Sequence, residues 1–196
     1  MSANANYLYS LSVSWLPPES PYWRLESDVR LALARELDNQ IPSRNEIAQA
    51  YEALVADRGM SSKRRIPVQS LYEPWTLDPD CNLAFARARG LRRGDAALHM
   101  DHVLTALGIE LPHELGLDSD HIAVILNVTG VIAERFPEKL GSFAVDHLAW
   151  FEEYAQQTNE AWDDDSGADY YRALIRATAH AAEPLIAAAQ RNAKGI

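Results

Sequence analysis

The sequence predicts an all-α fold, a bundle of six to eight helices around a buried central helix. The first observation behind this prediction is the apolar centre of the chain, Leu117–Thr158. From residue 122 to residue 133 the only polar side chains are Asn127 and Thr129, so a helix there must be buried. The second observation is a helical spacing of apolar residues through most of the remaining chain. About 12 apolar-dominated positions fall short of the roughly 20 that a membrane span needs, which favours a core helix.

Length, charge and cysteine content narrow the class of protein. The 196 residues, 47% of them hydrophobic, suit a single domain over residues 1–196. The formal charge of -10 disfavours nucleic acid and anionic membranes as partners. The first 23 residues contain no Lys or Arg and no continuous apolar run, which excludes a secretory or twin-arginine signal, and Cys81 is the only cysteine. These features predict a cytoplasmic protein without stable membrane insertion.

The first element, residues 7–15, has two interpretations. Its odd-numbered positions are all large side chains: Tyr7, Tyr9, Leu11, Val13 and Trp15. This alternation is mostly typical of a strand, but no second strand follows to pair with it. The segment is therefore either an arm docked on another element or a short helix that uses Leu8, Leu11 and Trp15.

Two helices are predicted next. After three prolines, a helix from about Trp23 to Asn39 carries one apolar stripe: Leu25, Val29, Leu33 and Leu37. Ser43 and Glu46 form a capping box that opens a second helix, which ends at Gly59. The inward side chains of this second helix are Ile47, Tyr51, Leu54 and Val55.

The segment Met60–Asp80 is predicted to be an ordered loop, with a short helix after it at residues 80–88. The loop holds Tyr72, Trp75 and Leu77 beside two acids, Glu73 and Asp78. Rigid apolar surface next to negative charge suits a peptide that is both apolar and cationic. The same rings could instead plug the end of the helical bundle, and the sequence leaves both interpretations open.

The second half of the chain is predicted to be helical between short breaks. A helix at residues 95–107 ends at Gly108, and Asp118 or Ser119 caps the central helix. Pro137 separates the central helix from the next one, which runs to Thr158 with Leu140, Phe143, His147, Phe151 and Tyr154 on one stripe. After an acidic loop at residues 163–167 comes a last helix, which Pro184 should kink or shorten.

Three Asp-His pairs invite a catalytic interpretation: Asp101-His102, Asp120-His121 and Asp146-His147. Neighbours on a helix point about 100 degrees apart, so an aspartate cannot orient the histidine that follows it. His147 lies on an apolar stripe and is expected to be a hydrogen-bonded core residue. His121, in the first turn of the central helix, is either part of the helix cap or a functional residue.

Metal and cofactor motifs are weak. His99 and His102 are three residues apart without a clear third ligand, and Glu110 and His113 flank a proline. The chain has no phosphate loop and no Gly-x-Gly-x-x-Gly. We therefore predict no cofactor, no metal and no enzymatic activity, and retain as one alternative a metal-dependent helical hydrolase that uses His99, His102 and His121.

Several segments together resemble the TorD/DmsD/NarJ family of maturation chaperones for molybdenum-containing enzymes. The resemblance is strongest over residues 69–186. The segments that carry it are Leu71-Tyr-Glu-Pro-Trp-Thr-Leu77, Gly90-Leu-Arg-Arg-Gly-Asp95, Asp118-Ser-Asp-His-Ile122, Phe143-Ala-Val-Asp-His-Leu-Ala-Trp150 and Tyr170-Tyr-Arg-Ala-Leu174. Pro74 stands where the family usually has serine, and none of the segments that carry the resemblance lies in residues 1–60.

This resemblance implies an all-helical chaperone that binds the twin-arginine signal peptide and the apo form of a molybdopterin oxidoreductase subunit. It would assist cofactor insertion, delay export and exist as a monomer or a homodimer. Carried over by position, the peptide-binding residues are Tyr72, Trp75, Leu77, Asp120 and His121. The need for carboxylates beside an apolar groove adds Glu73 and Asp78 to this set. The other alternative is a helical adaptor for an unrelated protein partner.

Overall fold

The structure, a computed structural model, describes residues 4–56, 65–162 and 168–193. Its α-helices are α1 (Ala5–Ser14), α2 (Ser27–Glu36), α3 (Arg44–Ala50), α4 (Asp95–Leu107), α5 (Ile122–Arg135), α6 (Leu140–Leu148), α7 (Phe151–Ala161) and α8 (Asp169–Ala193). A π-helical turn, Tyr51–Val55, extends α3, and single 3-10 turns lie at Gln69–Leu71, His113–Leu115 and Pro137–Lys139. These described ranges contain no strand, which confirms the all-α prediction.

Helix α5 is the predicted central helix. Nine of its 14 residues are buried, because apolar side chains surround nearly the whole helix. Helix α1 packs against it closely at Gly130, where an added Cβ would lie 2.5 Å from Cε1 of Tyr9. None of the helices in the described ranges is long and apolar enough to cross a bilayer.

The ambiguous first segment is a helix. Leu8, Leu11 and Trp15 are buried, as the helical interpretation requires. The serines that gave the strand-like alternation are compatible with a helix because their hydroxyls bond to carbonyl oxygens. Ser14 Oγ donates to the Ser10 carbonyl at 2.8 Å within α1, and Ser12 Oγ donates to the Ala123 carbonyl of α5 at the same distance.

The aromatic core joins the two ends of the chain. The Trp15 ring centroid lies 6.1 to 6.2 Å from those of Phe151, Tyr154 and Tyr171. Its indole nitrogen donates to Thr178 Oγ1 at 2.9 Å, which satisfies the one polar group of a fully buried side chain. Helices α1, α7 and α8 are thereby fixed around one tryptophan.

The capping box is confirmed. The Ser43 backbone N–H donates to Glu46 Oε2 at 2.7 Å, and the Glu46 N–H donates back to Ser43 Oγ at 3.4 Å. The predicted end of this helix, Gly59, lies outside the described residues, as do residues 60–64 of the predicted loop and the acidic loop at 163–167. Helix α4 has the predicted bounds, and Gly108 ends it with a φ of 65°.

Three predictions about helix boundaries need correction. No helix forms at residues 80–88, because backbone groups there bond across the loop: Trp75 N–H donates to the Ala88 carbonyl at 2.9 Å. The predicted helix through His147 is two helices, since the Trp150 indole engages the His147 carbonyl at 2.8 Å near the break. Pro184 lies inside α8, so of its two predicted effects the shortening was wrong and the kink stays a prediction.

Candidate functional site

The start of α5 is capped by His121 itself. Its Nδ1 accepts a hydrogen bond from the Ala123 backbone N–H at 3.1 Å. The expected caps have other partners: Asp118 pairs with Arg92 at 2.8 Å, and Ser119 Oγ donates to the Ala97 carbonyl at 3.2 Å. The prediction that Asp118 or Ser119 caps this helix was therefore wrong.

Asp120 ties the preceding loop to α5. The side chain is fully buried, and its Oδ2 accepts the Ser70 backbone N–H at 2.7 Å. Its carbonyl accepts the Gln69 N–H at 3.1 Å, and the Ile122 N–H donates to the Pro67 carbonyl at 2.9 Å. Burial raises the pKa of the Asp120 carboxyl, while the bonds from Ser70 lower it. Because it is enclosed, this carboxylate positions residues 67–70 and does not present itself to a ligand.

A cleft of about 730 Å³ opens beside these residues. One wall holds Pro17, Glu19 and Ser20, and another comes from the π-helical turn and Ala56. The remaining lining residues are Ile66, Val68, Arg92, residues 114–118 and His121. Four carboxylates line it together with apolar side chains: Glu19, Glu52, Glu114 and Asp118. Among the lining residues that the structure describes, Arg92 is the only cation, and it pairs with Asp118.

His121 gives this cleft a neutral hydrogen-bond donor. Burial, helped by the nearby charge of Arg92, lowers the pKa of His121 to about 3, so the imidazole is uncharged at neutral pH. Since Nδ1 accepts from Ala123, the ring proton is on Nε2. Nε2 makes no hydrogen bond to the described residues, and the ring is 3% exposed at the cleft wall.

The Tyr72 loop divides into buried and exposed parts. Tyr72 is 5% exposed, stacked on Trp150 at 5.4 Å and edge-on to Tyr154 at 5.4 Å, so of the two interpretations left open for this loop the packed core ring applies to Tyr72. Trp75 is half-buried, whereas Leu77 is 70% exposed and Asp78 is exposed. Of the seven predicted site residues, Tyr72, Asp120 and His121 are thus buried, and Glu73, Trp75, Leu77 and Asp78 are accessible at least in part.

An exposed apolar surface continues beyond Leu77. Residues 77–91 carry four of the nine large apolar side chains that are exposed in the described ranges: Leu77, Leu83, Phe85 and Leu91. The Phe85 ring lies edge-on to Trp75 at 5.0 Å, which makes these two loop segments one surface. Sequence reasoning missed Leu83 and Phe85 because it assigned them to a helix, and it gave Leu91, after that helix, no exposed role.

Glu73 belongs to a separate polar network around His147. His147 Nδ1 lies 2.9 Å from Gln69 Oε1, and its Nε2 lies 2.9 Å from His99 Nδ1. The Gln69 amide nitrogen donates to Glu73 Oε2 at 2.9 Å and to the Asp146 carbonyl at 2.7 Å, so its oxygen faces the imidazole. Burial, with His99 second, lowers the pKa of His147 to about 4, and burial raises the pKa of Glu73. The expectation that His147 is a hydrogen-bonded core residue is confirmed.

The described side chains do not support the alternative metal site. His99 contacts His147 rather than the predicted partners, and His102 is exposed. Over residues 4–56, 65–162 and 168–193, no group of three or more His, Cys, Asp or Glu could hold a metal ion.

Sequence reasoning found His121 but not the cleft that it borders. Glu19, Glu52 and Glu114 come from segments far apart in the chain, with no common motif. The only signal in the sequence was its surplus of acidic over basic residues, which does not show which acidic side chains lie close together in the fold.

A family model of the nitrate reductase delta subunit matches residues 24–163, which include all seven predicted site residues. The cleft wall at residues 17–20 lies outside the match. A comparison with curated proteins gives no match to the chain. The family model covers well over half of the sequence. The chain therefore belongs to the nitrate reductase delta subunit family, a non-enzymatic family of chaperones that bind molybdoenzyme subunits during maturation.

Proposed function

We propose that this protein is a cytoplasmic chaperone that binds the twin-arginine signal peptide and the apo form of a molybdopterin oxidoreductase subunit. In this role it assists cofactor insertion and delays export. The observation that carries the proposal is the 730 Å³ cleft. Its described lining residues include four carboxylates and one cation, and the others are largely apolar. A cleft of this composition suits a peptide that joins positive charge to apolar side chains.

The chemistry of the signal peptide matches this lining. Arginine is planar and always charged, so it pairs best with carboxylates that can accept two parallel hydrogen bonds. Glu19 and Glu114 are exposed at the rim and accessible to such pairing. Leu115 and Leu117 are half-buried and supply apolar contacts to a bound side chain, each worth less than the about 2 kcal/mol of a side chain fully removed from water.

His121 supports the proposal through the peptide backbone. An extended peptide exposes carbonyl oxygens, and the Nε2–H of a neutral imidazole is a suitable donor to one of them. Asp120 contributes indirectly, because its bonds to Gln69 and Ser70 hold the loop from which Val68 joins the cleft. A micromolar complex requires only about 8 kcal/mol, which a few such contacts supply after ordering costs.

The accessible part of the predicted site has a second role in this proposal. Trp75, Leu77 and Asp78 adjoin the exposed apolar surface at residues 77–91. Unfolded or incompletely assembled subunits expose apolar surface that a chaperone must cover. We infer that this surface contacts the body of the apo-subunit while the cleft holds its signal peptide.

Calorimetric titration of the full chain with a synthetic twin-arginine signal peptide tests the proposal. The matched control is the same peptide with both arginines replaced by lysine. We expect saturable binding in the micromolar range, with the lysine peptide at least about tenfold weaker because it loses bidentate pairing. Equal affinity for both peptides would favour the helical adaptor, and no binding of either would overturn the proposal.

A further inference from the structure

A hydrogen bond joins the two walls of the cleft. Tyr22 follows the wall at residues 17–20, and its phenol oxygen donates to Glu114 Oε1 of the opposite wall at 3.0 Å. Tyr22 is 38% exposed and Glu114 is exposed, so the bond lies at the surface. It bridges residues that are 92 positions apart in the sequence.

Arg44 holds the wall that carries Tyr22. Its Nε donates to the Pro18 carbonyl at 2.7 Å, and its terminal nitrogen donates to the Ser20 carbonyl at 3.2 Å. The guanidinium also lies over the Trp23 ring, 5.3 Å from the centroid. Arg44 therefore contacts residues on both sides of Tyr22, Ser20 and Trp23, and holds the segment that donates the bond to Glu114.

Glu114 is suited to receive a guanidinium. Hydrogen bonds from its own backbone N–H and then from the Tyr22 phenol lower the pKa of its carboxyl, so it is ionised at neutral pH. It lines the cleft and also a second cavity of about 760 Å³ on the other side of the 113–117 turn. An arginine that enters from either side meets this carboxylate.

We propose that Glu114 pairs with an arginine of the bound signal peptide and that Tyr22 occupies this carboxylate in the free protein, so that binding exchanges a phenol for a guanidinium. This inference rests on the proposed function and adds to it a specificity residue and a latch. The exchange is favourable because a charge-assisted, bidentate bond is roughly twice as strong as a bond from a neutral phenol. A ligand that lacks a guanidinium cannot compensate for the lost phenol bond in this way.

Substitution of Tyr22 separates the latch from the cleft. Tyr22→Phe removes only the phenol oxygen, and we expect the twin-arginine peptide to bind about threefold more tightly, mainly through faster association. Tyr9→Phe is the matched control, because Tyr9 makes a comparable exposed bond to Glu134 Oε2 at 3.2 Å, with neither residue among those that line the cleft. Its affinity should equal that of the wild type.

Substitution of Glu114, alone and together with Tyr22, completes a double-mutant cycle. Glu114→Gln should weaken binding about threefold to tenfold, and Tyr22→Phe added to it should give no further gain. Thermal melts confirm folding, since both side chains are exposed. If the wild type binds the peptide and Tyr22→Phe binds it equally well or more weakly, the latch is overturned but the proposed function is intact. Absence of binding by the wild type and every variant would overturn both.

Discussion

His121 and His147 each follow an aspartate in the sequence and each is buried, yet they stand in different relations to the cleft. Burial lowers the pKa of both, to about 3 and about 4 respectively. Both ring nitrogens of His147 have protein partners, Gln69 and His99. His121 uses only Nδ1 within the described residues and borders the cleft. The comparison teaches that two equally buried histidines can differ in the number of ring nitrogens with protein partners, and that only the one with a remaining Nε2 donor can serve a ligand.

The largest expected effect is the loss of stability when His147 is removed. His147→Ala leaves a cavity beside Phe143, whose ring lies 4.6 Å away, and deprives Gln69 and His99 of a partner. We expect the free energy of unfolding to fall by about 3 kcal/mol, with peptide affinity of the folded protein unchanged. Urea denaturation and calorimetric titration measure the two quantities.

The exposed His102 provides the control for this substitution. His102→Ala, on the solvent side of α4, should change stability by less than about 0.5 kcal/mol. If His147→Ala lowered peptide affinity while the chain stayed folded, His147 would belong to the binding site and the comparison with His121 would fail.

Acidification has the next largest effect per residue and acts on both imidazoles. Their folded pKa values lie below the ordinary value of 6.5, so between pH 6.5 and pH 4 the unfolded chain binds protons that the folded chain excludes. The free energy of unfolding therefore falls as pH falls. Each histidine contributes roughly 1.4 kcal/mol per pH unit, or about 2 kcal/mol from pH 6.5 to pH 5.

The carboxyls of the buried Asp120 and the half-buried Glu73 act in the opposite direction. Burial raises the pKa of Asp120 and Glu73, so both favour the folded state more as pH falls toward the ordinary carboxyl range. The share of His121 is therefore read from urea denaturation at several pH values as a difference between variants. His121→Asn should reduce the slope of stability against pH by about one proton, and His102→Asn should not. An unchanged slope would mean that the His121 ring protonates freely in the folded chain.

Much of the fold follows from local patterns in the sequence. Helix α5 was predictable because its apolar character leaves burial as the only outcome, and α3 and α4 because caps and glycines mark their ends. The boundaries that were wrong depend on distant contacts. The Ala86 and Ala88 carbonyls accept from the Thr76 and Trp75 N–H groups, while the bonds within residues 80–88 are single turns, such as Ala86 N–H to the Leu83 carbonyl. The Trp150 indole engages a carbonyl near the break between α6 and α7.

The candidate site was less predictable for a related reason. The sequence indicated Tyr72, Asp120 and His121 as important positions but not whether they face the core or the solvent. Residues that tie two buried segments together and residues that bind a ligand are of the same types. The cleft itself is assembled from separate segments, and Tyr22 meets Glu114 only through tertiary packing. Long-range pairing of this kind leaves no periodicity or spacing in a single sequence.

The smallest expected effect distinguishes the two functions of His121. Asparagine is a good N-cap, so His121→Asn keeps an acceptor for the Ala123 N–H but removes the Nε2 donor, whereas His121→Ala removes both. We expect His121→Ala to be about 1 kcal/mol less stable than His121→Asn, and both to bind the peptide about threefold to tenfold more weakly than wild type. If His121→Asn bound the peptide as tightly as the wild type, His121 would only cap the helix and, like His147, would have a structural role alone. Equal stability of the two variants would show instead that the cap contributes nothing measurable and that the ring is retained for the ligand.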